Sequence, residues 1–349
     1  MRWDIFCRVI DYHGDLGVSW RLSADLAARG ETVRLWVDDP LALAWMAPNG
    51  MRGVTVIRWV DPLPCFEPGE VVIEAFGCDP PPAFIERMAA QRPAPLWINL
   101  EYLSAQAYVE RCHGLPSPQS QGPGAGLTKS FFYPGFTPAT GGLLREAHAL
   151  AAADEGWLAA QGMPVRAGER LVSLFAYADA PVEALLDLLD SEPTLLLLAA
   201  GAAQAPALAL FDSQQRRGRH LRAHALPWFD QPGYDRLLRA CDLNFARGED
   251  SIVRAMWAGA PFVWQIYAQA DGAHADKLNA LLERLTAGSA PALAAEVSQL
   301  WRAWNGLGPW PATLPNAADW RTLCRAWRRQ LAEQNDLSSQ LMGFVAAKR

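Results

Sequence analysis

A chain of 349 residues, 51% hydrophobic and 19% charged, can bury large cores, divides most naturally into two domains and is too globular in composition to be disordered. Its formal net charge of -6 argues against a general nucleic-acid binder, because phosphate contacts draw on a surplus of lysine and arginine, so no nucleic-acid partner is expected. No apolar run reaches the roughly 18 residues of a membrane helix, and strand-like DIFCRVI follows the start directly with no signal-like segment, so a cytoplasmic protein with no membrane partner is expected.

Apolar strand-like runs alternate with amphipathic helical windows, which predicts parallel sheets covered by helices. In the first half, strands are predicted at Asp4 to Ile10, Thr32 to Val37, Val54 to Val60, Val71 to Phe76 and Leu96 to Glu101. The proline-, glycine- and serine-rich PSPQSQGPGAG, Pro116 to Gly126, reads as an exposed, mobile loop inside a domain. A second strand series begins near Arg170 with LVSLFAY and continues through TLLLLAA, LRAHALP, LNFAR and PFVWQI. The predicted domains are therefore 1–155 and 165–330. From about Ala317 the pattern is helical, with Trp320, Leu323, Trp327 and Leu331 on one face, and residues 331–349 form a helical tail expected to pack back on the first domain.

The six cysteines, Cys7, Cys65, Cys78, Cys112, Cys241 and Cys324, are scattered without CxxC spacing, and reduced thiols are expected. His13, His113, His148, His220, His224 and His274 show no HxH or HExxH spacing, and the adjacent Asp38 and Asp39 are not a spaced acidic pair, so no protein-held metal is expected. Among the 15 tryptophans, Trp36, Trp59, Trp97, Trp257 and Trp264 lie in strand or buried-helix windows, which reads as core packing.

Two segments carry chemistry. DYHGDLGVSWRL, Asp11 to Leu22, leaves the first strand as a glycine loop, shaped by Gly14 and Gly17 and bearing Asp11 and Asp15, where open parallel sheets bind ligands. A purely structural reading stands beside this one: Asp11 ends the strand and Asp15 caps a helix starting near Val18. The loop does not match the GxGxxG of a dinucleotide site. GEDSIVRAMWAGAPFVWQIYAQADGAH, Gly248 to His274, reads as a helix start, a buried strand and a polar loop. Glu249, Asp250 and Ser251 crowd the first helical turn, where unpaired N–H groups and the helix dipole favour an anion such as a diphosphate, and Arg247 adds positive charge. Facing acids would repel a diphosphate, so backbone N–H groups and the Ser251 hydroxyl are its expected partners, with Glu249 and Asp250 turned to sugar hydroxyls.

These two segments, with LWINLEYLSAQAYVERCHGLPS, LTKSFFYPGFTPATGGLLRE, LVSLFAY and LPWFDQPGYDRLLRACDLNFARGEDS in order between them, resemble the bacterial protein-arginine rhamnosyltransferases that modify translation elongation factor P. The first segment departs from the family pattern DNFGDIGVCW at Tyr12, His13, Leu16 and Ser19 but keeps both acids. The resemblance implies an α/β GT-B glycosyltransferase: two Rossmann-like domains facing a central cleft, the N-terminal one binding the acceptor and the C-terminal one the nucleotide sugar. It implies dTDP-beta-L-rhamnose as co-substrate with no cofactor or metal, and elongation factor P as protein acceptor. Residue by residue, it implies that Asp11 and Asp15 face the acceptor arginine and that Glu249 supports the departing sugar. The donor pocket would comprise Phe175, Tyr177, Phe229, Gln231, Arg247, Glu249, Asp250, Ser251, Tyr267 and Gln269. Within it Phe229 would stack on thymine, Gln231 read the base edge, and Tyr267 and Gln269 reach the phosphates. Tyr102, Leu103 and Ser104 are candidates for the acceptor-docking surface.

A guanidinium has only donors, and carboxylates are its natural partners. Its pKa near 13.8 lies about 10 units above that of a free aspartate, so full proton transfer before attack would cost roughly 13 kcal/mol. The expected route is a single displacement in which Asp15 takes the proton as the C–N bond forms and Asp11 orients the guanidinium, inverting the anomeric centre. The alternatives are a GT-B transferase with another sugar donor or a lipid-linked acceptor, and a non-catalytic nucleotide-sugar-binding regulator.

Overall fold

The structure, a computed structural model, describes residues 1–10, 13–60, 65–154, 156–213, 220–269 and 272–349. Two compact units emerge, one made of Met1–Ala147 with Leu331–Arg349 and the other of His148–Gln330. The first runs through β1 (Arg2–Cys7), α1 (Gly14–Ala28), β2 (Thr32–Val37), α2 (Leu43–Met46), β3 (Val54–Arg58), β4 (Val71–Ala75), α3 (Pro82–Ala90), β5 (Leu96–Leu100), α4 (Tyr108–Cys112), β6 (Pro116–Pro118) and β7 (Thr128–Phe132). The second contains α5 (Trp157–Ala160), β8 (Arg170–Leu174), α6 (Val182–Leu189), β9 (Thr194–Leu198), α7 (Gln204–Ser213), β10 (Leu221–Ala225), α8 (Gln231–Ala240), β11 (Leu243–Arg247), α9 (Gly248–Ala258), β12 (Phe262–Gln265), α10 (Ala273–Thr286) and α11 (Pro291–Trp304). Helix α12 (Ala317–Ala332) leads out of it, and α13 (Leu337–Lys348) belongs to the first unit.

The first sheet has the order β3-β2-β1-β4-β5-β7-β6 and is parallel except for the β6–β7 pair. Alternation along β1 serves two cores at once: Trp3, Ile5 and Cys7 join the cluster that includes Leu16 and Leu22 of α1, while Phe6 joins the one that includes Phe84 of α3. Asp4, on the Phe6 side, is fully buried and accepts from Arg34 Nε and Nη2 (both 2.6 Å), Trp36 Nε1 (2.8 Å) and the Gly69 N–H (2.6 Å), the partnering that makes an interior carboxylate tolerable.

Leu337, Leu341 and Val345, one stripe of α13, complete the core beneath α1. Asp336 caps α13 by accepting the Ser339 N–H at 2.9 Å, and Arg29 of the α1 C-cap spans Asp25 and Asp336 at 2.9 and 2.8 Å. Burial alone would raise the Asp336 carboxyl, but the Ser339 N–H and hydroxyl and the Arg29 guanidinium outweigh it and hold the group below its ordinary value. A depressed folded-state pKa stabilises above the unfolded value and is lost as pH falls through the folded one. Asp336→Ala is accordingly expected to cost about 1–2 kcal/mol in urea unfolding at neutral pH. The gap from wild type should begin to narrow below about pH 4, where the unfolded-state aspartate protonates, and close as pH falls through the lower folded-state value.

Two segments differ from expectation. Pro116 to Gly126 is mostly exposed, as expected, but it supplies β6, paired antiparallel with β7, and then a turn in which Gly124 is buried and a Cβ on it would lie 3.1 Å from the Trp97 ring. Prolines suit this edge because they lack an outward N–H to satisfy. On α12 the buried stripe is Trp320, Cys324 and Trp327, with Leu331 buried further on and Leu323 only half-buried. The expected tryptophan cores hold: Trp36, Trp97, Trp257 and Trp264 are buried and Trp59 packs against the Phe6 cluster. All six cysteines are free thiols, and Cys7, Cys78, Cys241 and Cys324 are buried. Among the described residues no helix is long and apolar enough to cross a membrane.

The second unit's sheet, β10-β9-β8-β11-β12, is wholly parallel. Helices α8 and α9 are fastened by a buried two-bond pair, Arg254 Nε to Asp235 Oδ1 at 3.1 Å and Nη2 to Oδ2 at 2.8 Å.

Candidate active site

In a doubly wound sheet the ligand crevice opens at the carboxyl ends of the strands where the winding reverses. The first sheet reverses between β1 and β4 and the second between β8 and β11.

In the first unit Asp15 lies next to that reversal, in the first turn of α1. The carboxylate is 3% exposed, and Oδ2 accepts the Ile10 N–H at 2.9 Å, which ties it to the chain leaving β1. Asp11 lies outside the described residues. The glycine loop expected here is helical from Gly14 onward, with His13 as N-cap and the Gly17 N–H donating to its carbonyl at 2.8 Å. Leu16 and Trp20 anchor that turn in the core, and an acid in the first turn suits the helix dipole, so tertiary packing overrides the glycines. Asp15 thus lies within the first turn of the helix rather than capping it before Val18.

Across the reversal, Phe76 follows β4 with φ 59°, a conformation costly for an aromatic residue, and stacks on Tyr102 at 4.6 Å. Sequence reading passes over Phe76 because EAFG looks like a strand end. Of the three docking candidates, Leu103 and Ser104 are buried, and only Tyr102 keeps partial exposure. Tight packing of the chain after β5 removes the other two from the surface.

In the second unit the predicted donor residues converge on the C-terminal ends of four strands. Phe175 and Tyr177 follow β8, and the Arg247 guanidinium lies 4.5 Å from one ring and 4.6 Å from the other, a cation held between two aromatic rings. The Tyr177 N–H donates to Gln265 Oε1 at 2.8 Å, which fixes the end of β8 against β12. Gly248, with φ 65°, makes the turn from β11 into α9 that a side chain would strain. It brings Glu249, Asp250 and Ser251 to the helix start, and Ser251 is buried. Behind Ser251 lies the half-buried Tyr234, whose phenol is pushed up by desolvation and drawn back by the Ser251 hydroxyl, and whose ring meets Phe175 at 5.7 Å. After β12, Tyr267 is 54% exposed and 5.7 Å from the Tyr177 ring, and Gln269 is exposed.

After β10, Gln231 opens α8, whose N-cap Asp230 accepts the Gly233 N–H at 2.8 Å. Phe229 turns into the core with its ring 5.3 Å from Trp157, whereas Trp228 is 45% exposed. The outward ring of this loop is therefore Trp228, one residue before the one singled out from sequence. Lys277 of α10 was missed altogether: its Nζ donates to Glu249 Oε1 at 2.7 Å. Nothing in the local sequence distinguishes it from any solvent-facing helical lysine. Among the described residues no three His, Cys, Asp or Glu side chains are grouped to hold a metal ion.

Two parallel-sheet α/β units with the site residues at the reversal points define a GT-B glycosyltransferase, and solved GT-B enzymes share the fold. The Streptomyces glycosyltransferase SsfS6 superposes with TM-score 0.53 over 98% of this chain and 99% of its own at 11% identity. The family described as elongation factor P (EF-P) rhamnosyltransferase EarP matches residues 3–346. A protein-arginine rhamnosyltransferase of Pseudomonas aeruginosa is 41% identical over 99% of this chain and 98% of its own length, and one of Neisseria meningitidis is 32% identical over 98% and 96%. A structure described as the basis for EarP-mediated arginine glycosylation of translation elongation factor EF-P matches with TM-score 0.67 and 30% identity over 100% of this chain and 99% of its own. The chain belongs to the EarP family of protein-arginine rhamnosyltransferases.

Proposed function

We propose that this rhamnosyltransferase takes its sugar from dTDP-beta-L-rhamnose, without cofactor or metal, and places it on an arginine of translation elongation factor P in the cytoplasm. The observation that carries the donor half is the set of groups around the second reversal point: a cation between two rings, a serine at a helix start and an outward tryptophan. Ser251 and the first N–H groups of α9 suit the diphosphate, Arg247 its charge, Trp228 and Gln231 the base, and Glu249 and Asp250 the sugar hydroxyls. Tyr267 and Gln269 border the same strand ends, within reach of the phosphates. The acceptor half is supported by the family description and the P. aeruginosa and N. meningitidis likenesses. The base assigned here is Asp15, which sits at the first reversal point.

In the transfer a guanidinium nitrogen forms a C–N bond to the anomeric carbon. The bond from that carbon to the phosphate oxygen breaks, its electron pair leaving with dTDP, and the proton passes to Asp15. Attack opposite the leaving group inverts the anomeric centre.

Mass spectrometry of elongation factor P incubated with this protein and dTDP-rhamnose is expected to show one deoxyhexose on one arginine. An unmodified acceptor would overturn the reading, and parallel incubations with dTDP-glucose and UDP-glucose separate it from a transferase with another donor.

A further inference from the structure

Two acids at the start of α9 pose an electrostatic problem for a site that takes a diphosphate, because each carboxylate repels the phosphates that the helix start attracts. Arg247 is turned between the Phe175 and Tyr177 rings. Lys277, from the second turn of α10, meets the Glu249 carboxylate at 2.7 Å. Neither side chain of this pair is fully buried, at 21% and 17% exposure, so a ligand at the helix start can touch both. An ammonium has three donors, so a bond to Glu249 is compatible with a bond to a phosphate oxygen.

Resting on the dTDP-sugar reading above, we propose that Lys277 is the charge-balancing residue of the donor pocket: it neutralises Glu249 and binds the diphosphate through the transfer. Breaking the bond between sugar and phosphate oxygen adds one negative charge to the nucleotide. A cation beside that oxygen therefore binds the transition state more strongly than the intact donor and lowers the barrier. Lysine suits this task as a compact point charge on a flexible stem, able to follow the oxygen as its charge grows.

The test compares dTDP with thymidine by calorimetry on the full chain. Lys277→Met keeps the stem and helix propensity and removes the charge. It is expected to weaken dTDP binding about 10- to 100-fold and to leave thymidine binding within about twofold. Lys277→Arg should recover most of the dTDP affinity. Lys277→Gln, which can still donate to Glu249, should lose it as Met does, and it serves as the test variant if the Met protein lacks a cooperative melt. At saturating dTDP-rhamnose, kcat should fall by more than about tenfold in the Met and Gln variants. The proposal is overturned if the uncharged variants bind dTDP within about twofold of wild type, or if thymidine loses as much affinity as dTDP. A wild-type chain without dTDP affinity would instead overturn the donor reading beneath it.

Discussion

Asp15→Asn is expected to lower rhamnosyl transfer at least about 1,000-fold while dTDP affinity stays within about twofold of wild type. Removing a general base typically costs about 100- to 10,000-fold, and in the proposed mechanism the same carboxylate also pairs with the guanidinium it deprotonates, so a value toward the upper end is expected. The substitution is nearly isosteric. Its amide oxygen can still accept the Ile10 N–H now held at 2.9 Å, so the start of α1 should persist and the melting temperature should move little. Donor affinity is the internal control, since every residue proposed to hold the nucleotide sugar lies in the other compact unit. Single-turnover transfer at saturating donor and acceptor provides the measurement. Transfer within tenfold of wild type would move the base away from Asp15 and leave Asp11 as the carboxylate to test.

The largest expected effect on stability comes from Asp235→Ala. Asp235 and Arg254 are both almost fully buried and share two hydrogen bonds between α8 and α9, so deleting the acid strands a guanidinium in the interior. Breaking such a pair from one side costs about 3–5 kcal/mol, whereas replacing both members by apolar groups of similar size is often close to neutral. Urea unfolding followed by tryptophan fluorescence should therefore show a large loss for Asp235→Ala and recovery in Asp235→Leu/Arg254→Met. Because the chain has two compact units, the shift should be confined to one transition if the units unfold separately. A loss below about 1 kcal/mol would mean that water or another acceptor satisfies the abandoned guanidinium.

The parallel-sheet architecture was legible because buried parallel strands must be continuous apolar runs, and VVIEA and TLLLL are unmistakable as such. TKSFF was not, since β7, although as long as these two, opens on threonine, lysine and serine and is recruited by backbone pairing with β5. The site divides in the same way. GEDS and LFAY could be picked out from a local pattern and a family likeness, and they do sit together at one reversal point. Trp228 and Phe229 could not be ranked, because adjacent aromatics differ only in which one the Trp157 cluster claims. Lys277 and Phe76 were illegible for a different reason. One matters through a partner 28 residues away and the other through a backbone angle, and neither leaves a mark on its neighbours in sequence.

Helix α13 lies after the whole second unit in sequence yet closes the core of the first, with Leu337, Leu341 and Val345 set among Ile5, Leu22 and Leu35. The second unit is in effect an insertion within the first. On the ribosome, the first sheet emerges early but must wait, with the apolar face beneath α1 incompletely covered, until some 180 further residues have been translated. Order of synthesis and order of completion are thus reversed: the unit made first is finished last. Premature termination between Gln330 and Val345 would leave an intact second unit tethered to a first unit with an open core, a species for chaperones and proteases rather than a partly active enzyme.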